Sequence, residues 1–280
     1  MNKPRSTASA TERYTHHVNL ALIGLVIAAV GMTPVRASSQ IAVGSTVEEH
    51  TASSGETYTG TIPVRNTTAV PQPVRVYQED YTFFADGTSH FDPPGSIPRS
   101  NAKWVTATGG TITVPPGAEL NVAYTIHVPR DSSLTGTYWS TIMVEGAPSL
   151  PSHVGEGQIA IGSIMRYSIQ LATHIGATGS RKIQFAKQEI ITGSKGSPSL
   201  EFEVANIGER GYRPLLWMEL YDEKGELRGK SQQQRGLIYP GTSVKQSFSL
   251  GNPAPGNYKA IVFADTGDDA IFAAQYKLHF

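Results

Sequence analysis

Hydrophobic and polar positions alternate with a period of two over most of this chain after residue 38, and no convincing helical period appears there. In one stretch Tyr58, Gly60, Ile62 and Val64 lie on one side, and Thr57, Thr59, Thr61 and Pro63 on the other, which predicts a half-buried strand. The pattern predicts strands near 41–47, 58–64, 74–84, 103–107, 111–114, 120–128 and 138–144. A second group is predicted near 183–191, 200–204, 215–221, 227–230, 243–250, 258–265 and 271–278.

One string of turn signals occurs twice, about 130 residues apart. Val64-Arg65-Asn66, Pro116-Gly117 and Gly136-Thr137-Tyr138 are matched by Val204-Ala205-Asn206, Pro240-Gly241 and Gly256-Asn257-Tyr258. Val-x-Asn ends a strand at a turn. Pro-Gly then makes a tight reversal, because proline pre-sets φ and glycine accepts the positive φ that follows. Gly-x-Tyr is similar to the tyrosine corner of immunoglobulin-like sandwiches, in which the hydroxyl bonds back to the backbone. The repeat predicts an all-β chain of two immunoglobulin-like β-sandwich domains in tandem, over residues 38–175 and 176–280.

Residues 1–37 read as a signal peptide. Lys3, Arg5 and Arg13 give a basic start, 18–30 is uncharged and apolar, and Val35-Arg36-Ala37 has small residues at the spacing of a cleavage site. The apolar run has about 13 residues where a membrane span needs roughly 20. An exported chain, periplasmic or at the cell surface and with no membrane span after signal removal, is expected. Removing this segment takes away four of 23 basic residues and one of 23 acidic ones, leaving 19 against 22. That balance offers no basic stripe for nucleic acid. The chain has no cysteine, so each domain must be held by its sheet-on-sheet core.

From Asn66 to Gly117 the first copy is longer than the second by roughly 16 residues. The excess falls mainly in 83–103, with an Asp86-Gly87 turn and the run Asp92-Pro93-Pro94-Gly95-Ser96-Ile97-Pro98-Arg99-Ser100. An excursion of this length is either an ordered Ω-type loop or a functional one.

Between the domains, residues 159–171 read as one amphipathic strand. Ile159, Ile161, Ser163, Met165, Tyr167, Ile169 and Leu171 form one face, and Arg166 lies on the other. Such a strand either closes the first sandwich with its apolar face in the core, or offers an open edge to a partner strand.

Catalytic and cofactor chemistry is poorly represented. Gly-x-Ser-x-Gly and His-Glu-x-x-His are absent, and His50, His90, His127, His153, His174 and His279 are scattered singly, as surface or turn histidines are. Neither enzyme activity, a cofactor nor a metal is expected. Residues 155–160 fit a dinucleotide fingerprint superficially but precede a strand rather than open a helix. Asp265-Thr266-Gly267-Asp268-Asp269 reads as a turn, Asn66-Thr67-Thr68 as a strand-ending turn, and Trp104, Trp139 and Trp217 as core residues of strands.

The first domain resembles the amino-terminal domain of PapD-type periplasmic pilus-assembly chaperones. The resemblance rests on Gly55-Glu56-Thr57 leading to Val64-Arg65-Asn66-Thr67-Thr68, Pro98-Arg99-Ser100, Trp104-Val105, Pro115-Pro116-Gly117 and Val128-Pro129, and covers about 40–175. It implies that the last strand of domain one binds an envelope or pilus-like protein subunit by β-strand complementation. Ile159, Ile161, Met165, Arg166, Tyr167, Ile169 and Leu171 are then the partner-binding residues, with Met165, Tyr167, Ile169 and Leu171 facing the subunit. The family's cleft arginine and lysine are not matched: residues 38–51 contain no Arg or Lys, and Arg166 is the candidate replacement. The alternative is a structural or adhesive surface module that binds glycan or cell wall through the 83–103 excursion.

Overall fold

The repeated asparagines explain why two sandwiches form. In a computed structural model describing residues 40–148, 163–192, 196–267 and 270–280, Asn66 and Asn206 are both fully buried. Asn66 Nδ2 donates to the carbonyls of Val70, Val114 and Pro115 at 2.7, 3.0 and 3.1 Å, while its Oδ1 accepts the N–H of Thr68. Asn206 repeats the pattern, with Nδ2 donating to Arg210 and Ile238 carbonyls and Oδ1 accepting the N–H of Gly208. Gly117 and Gly241 take the positive φ of the Pro-Gly reversals, at 66° and 77°. Each reversal then returns a bond to its asparagine, from Asn66 N–H to Ala118 O and from Asn206 N–H to Thr242 O.

The first ten strands are β1 (Ile41–Val43), β2 (Val47–Ala52), β3 (Thr57–Asn66), β4 (Gln72–Phe83), β5 (Ser89–Asp92), β6 (Val105–Ala107), β7 (Gly110–Val114), β8 (Glu119–His127), β9 (Gly136–Gly146) and β10 (Arg166–Ile175). They form a four-stranded sheet, β1-β3-β8-β6, facing a six-stranded one, β2-β10-β9-β4-β5 with β7 on β4. The core between them includes Ile62, Val64, Val122, Ile126, Ile142, Val144, Ile169 and Leu171. The second sandwich holds β11 (Ile183–Thr192), β12 (Pro198–Asn206) and β15 (Ser243–Ser249) against β14 (Leu227–Gln234), β13 (Leu215–Asp222), β16 (Asn257–Asp265) and β17 (Ile271–His279). Its core is built on Phe202, Leu216, Met218, Phe248 and Val262. The chain is therefore two immunoglobulin-like β-sandwiches in tandem, within one compact unit from residue 39 onward.

Several expectations are corrected. The predicted 41–47 strand is two strands: β1 pairs antiparallel with β3, and after Gly44–Thr46 the chain crosses to the other sheet, where β2 pairs parallel with β10. Tyr138 packs against Trp104 and Tyr258 against Phe280. Among the described residues the hydroxyl-to-backbone bonds of the expected kind come instead from Tyr167 to Ile41 O and Tyr212 to Lys182 O. Trp139 is buried and Trp104 packs on the first core, but Trp217 faces away from the second core, because its neighbours Leu216 and Met218 take the inward positions. The signal segment 1–37 and the 155–160 fingerprint lie outside the described residues. Among those residues no helix is long and apolar enough to cross a membrane, and no cluster of His, Asp and Glu could hold a metal ion.

Candidate functional site

β10 has two differently covered halves. Along its whole length it pairs antiparallel with β9, from Arg166↔Glu145 to Ile175↔Gly136. On its other side β2 joins only from Gln170↔Val47 to Ile175↔Ala52. Gly146 N–H bonds Met165 O, so odd positions point their backbone at β9; Gln170 N–H bonds Thr46 O, so even positions point it outward. The backbone groups of Arg166 and Ser168 therefore face a side on which, among the described residues, no strand lies. Immediately ahead of them stand Ile164 and Met165, large apolar side chains 54% and 47% exposed.

The expected binding residues separate on this strand. Ile159 and Ile161 lie outside the described residues. Met165 and Arg166 stand exposed at the open half. Tyr167 leans on the first core and donates its hydroxyl to Ile41 O at 2.7 Å. Ile169 and Leu171 are 0% and 1% exposed, so the expectation that they face a partner is corrected: they are core residues of the first sandwich. The strand's apolar face is turned inward, and among the described residues the outward backbone groups of Arg166 and Ser168 meet no strand.

Arg166 is not the cleft cation that the family pattern calls for. Its Nη2 lies 2.7 Å from Glu145 Oε2, and Arg75 Nη2 lies 3.3 Å from Oε1 of the same carboxylate. Tyr77 donates its hydroxyl to Oε2 at 2.9 Å, and the Arg75 guanidinium sits 4.3 Å above the Tyr77 ring. Burial pushes the Glu145 carboxyl up, but the Tyr77 and Arg166 hydrogen bonds and both arginine charges outweigh it and hold it below its usual range. Two guanidiniums sharing one carboxylate leave one surplus positive charge beside the open edge. The second sandwich reaches β10 from Gln170 onward, four residues on, roughly 13 Å along a strand.

That stretch is a tight junction which the scattered-histidine reading missed. Tyr239 of the second sandwich is fully buried, stacked on Trp139 at 4.6 Å, and donates its hydroxyl to Gln170 Oε1 at 2.9 Å. His174 is buried, with Nε2 3.2 Å from Glu49 Oε2 and Nδ1 2.7 Å from Thr137 Oγ1. Arg213 of the second sandwich closes on Glu49 Oε1 at 2.6 Å, and Gly211 N–H donates to Thr137 Oγ1 at 2.8 Å. Thr137 N–H bonds Glu209 O at 2.9 Å. No local pattern announces this group, because 49, 137, 174 and 211–213 are distant in sequence.

The 83–103 excursion is ordered by one buried carboxylate. Asp80 Oδ2 accepts the N–H groups of Ser96 and Ile97 at 2.7 and 3.0 Å, and Oδ1 accepts the Ser100 hydroxyl at 2.5 Å. The β4–β5 hairpin at its start displays Phe84 and Phe91.

No protein-family model matches the chain, and no curated protein matches it in sequence. Among solved structures it is similar to a chain from the chaperone–tip adhesin complex of CFA/I fimbriae biogenesis, with 12% identity over 85% of this chain and 98% of that one, TM-score 0.43. The class 5 fimbriae chaperone CfaA matches with 11% identity over 84% of this chain and 98% of its own, TM-score 0.43. A chain from the CsuC–CsuE chaperone–tip adhesion subunit pre-assembly complex of Acinetobacter baumannii matches with 13% identity over 85% and 98%, TM-score 0.42.

Proposed function

We propose that this chain is an exported, non-enzymatic envelope protein that binds an envelope or fimbrial subunit by β-strand pairing, as an assembly chaperone does. The observation that carries the reading is the half-covered edge of β10. β2 stops at Val47, leaving outward backbone groups of Arg166 and Ser168 for an incoming strand, beside exposed Ile164 and Met165. Main-chain bonds supply affinity in such pairing, and neighbouring side chains supply selectivity. The surplus charge of the Arg75–Glu145–Arg166 group favours a partner strand with an acidic residue near its end.

The test is Ser168→Pro. Proline removes the outward N–H while leaving the bonds to β9 intact, and edge strands tolerate it where the N–H faces solvent. Affinity capture from the native envelope should recover a stoichiometric β-rich subunit with the unsubstituted chain and at least about tenfold less with the variant. Equal capture by a variant of unchanged melting temperature would refute the reading. Lysine at Ile169 or Leu171 is unsuitable as a test, because it would bury a charge in the core.

A second reading, an adhesive module binding glycan or cell wall, is favoured by the exposed rings of Phe84 and Phe91, the latter stacked on Tyr81 at 4.9 Å. Phe84→Ser with Phe91→Ser should then abolish sedimentation with cell wall and leave subunit capture untouched.

A further inference from the structure

At the end of the second sandwich remote from the junction, two lysines stand opposite each other. β13 begins at Leu215, two residues after Arg213 of the junction, and Tyr221 lies six residues further, roughly 20 Å along the strand. Lys259 of β16 pairs with Tyr221 on one side and with Lys277 of β17 on the other. Gly256 and Phe280 exchange both backbone bonds, so by alternation Lys259 and Lys277 form a non-hydrogen-bonded pair, with Cα atoms about 4.5 Å apart and side chains at their closest. Like charges placed opposite one another destabilise a sheet. Elsewhere the opposed charges are complementary: Glu219 and Lys230 face each other on this sheet and close at 3.0 Å, and Lys187 and Lys245 are ion-paired on the other. Among the described residues neither Lys259 nor Lys277 has an ion pair, and the nearby acids are engaged by other groups. Glu219 also accepts the Tyr221 hydroxyl at 2.7 Å, Asp222 accepts Arg228 Nε at 2.7 Å and the N–H groups of Lys224 and Glu226, and Glu223 accepts Asn257 Nδ2.

The two lysines line a depression of about 500 Å³ together with Tyr221, Ile261, Asn257 and Glu223. That volume lies within the span of small-molecule sites. We infer that this depression binds a small phosphate monoester. Two ammonium groups bring two positive charges, and a phosphate monoester, carrying about −1.5 to −2 at pH 7, matches them, whereas a carboxylate leaves one lysine uncompensated. Lysine serves phosphate as a point charge with three donors, so side chains from two adjacent strands can share one phosphate group. The anion turns a repulsive cross-strand pair into two attractive contacts. Tyr221 and Ile261 supply an apolar wall against which the body of the ligand lies. The site belongs to the second sandwich, and the inference does not depend on the strand pairing proposed above.

Titration of the purified chain with phenyl phosphate, followed by amide chemical shifts, tests this. The shifts should gather at 221–225, 257–261 and 277–278 and saturate with a Kd on the order of 1 mM. Inorganic phosphate, which lacks the apolar body, and benzoate, which brings a single charge, should each bind about fivefold more weakly or worse. Lys259→Gln and Lys277→Gln should each weaken phenyl phosphate binding by about fivefold or more, and the double variant should lose it. Lys245→Gln, which removes a lysine of the other sheet, and Ser168→Pro should bind the probe as the unsubstituted chain does. Binding retained by a folded double variant, shifts spread over the surface lysines at large, or benzoate binding as tightly as phenyl phosphate would each overturn the inference.

Discussion

Replacing Asn206 by alanine tests whether the repeated signal is the organising element of each sandwich. The fully buried side chain makes three hydrogen bonds, two to the carbonyls of Arg210 and Ile238 and one from Gly208 N–H. At about 1 kcal/mol net per bond, Asn206→Ala should destabilise the second sandwich by roughly 3 kcal/mol. Asn66 makes five contacts, three from the two hydrogens of Nδ2, one of which is shared, and two accepted by Oδ1 from Thr68. Asn66→Ala should therefore cost the first sandwich about 4 kcal/mol. Native-state amide exchange followed by peptide mass spectrometry reads the sandwiches separately. Each variant should lower protection in the core strands of its own sandwich, by roughly a hundredfold for Asn206→Ala. Asn206→Asp separates chemistry from volume. A carboxylate facing two carbonyls has its folded pKa raised, so the variant should be worse than alanine at neutral pH and recover as pH falls through that value. Losses below 1 kcal/mol for both alanine variants, or an aspartate as stable as the asparagine at pH 7, would refute the reasoning.

Four further outcomes follow from the geometry. Tyr239→Ala removes a fully buried ring from the junction and should cost about 3–5 kcal/mol, splitting a single calorimetric transition into two. Gly136 has φ 75° and a β-carbon there would collide with Glu209 O, so Gly136→Ala should break the Thr137–Glu209 bond and loosen the junction, visible as faster exchange at Thr137. Asp80→Ala should free residues 93–100 and speed tryptic cleavage after Arg99, without altering the cores. The His174 hydrogen bond is the largest influence on Glu49 and, with Arg213, holds its carboxyl below the ordinary 4.5 against the opposing effect of burial. A depressed folded value adds stability that is present above 4.5 and lost as pH falls through it, so the junction should loosen in acid, and Glu49→Gln should flatten that dependence in a melting series.

The architecture was readable in the sequence where local chemistry dictates it. Val-x-Asn, Pro-Gly and the period-two runs each act within a few residues, and the strands from β11 to β17 begin and end within about four residues of their sequence positions. The readings that missed depend on what lies opposite. Nothing within 41–47 says that the chain changes sheets after Val43. The alternation at 165–171 is the same whether its apolar face meets a core or a partner, and only the facing β1-β3-β8-β6 sheet decides that Ile169 and Leu171 are buried. Trp217 looks like a core strand residue until Leu216 and Met218 claim the interior. His174 looks solitary until folding brings Glu49, Thr137 and Arg213 to it.

The crossover at Gly44–Thr46 acts as a ruler. Because β2 runs parallel to β10 from Val47, the point where the leading segment changes sheets fixes how many rungs of β10 are left uncovered by β2. Advancing the crossover by two residues would close one rung, about 7 Å of ladder, and delaying it would add one. In the proposed pairing, the length of docking strand is thus written in a linker that need touch no partner, and shortening or extending that linker should retune selectivity while both cores stay as they are.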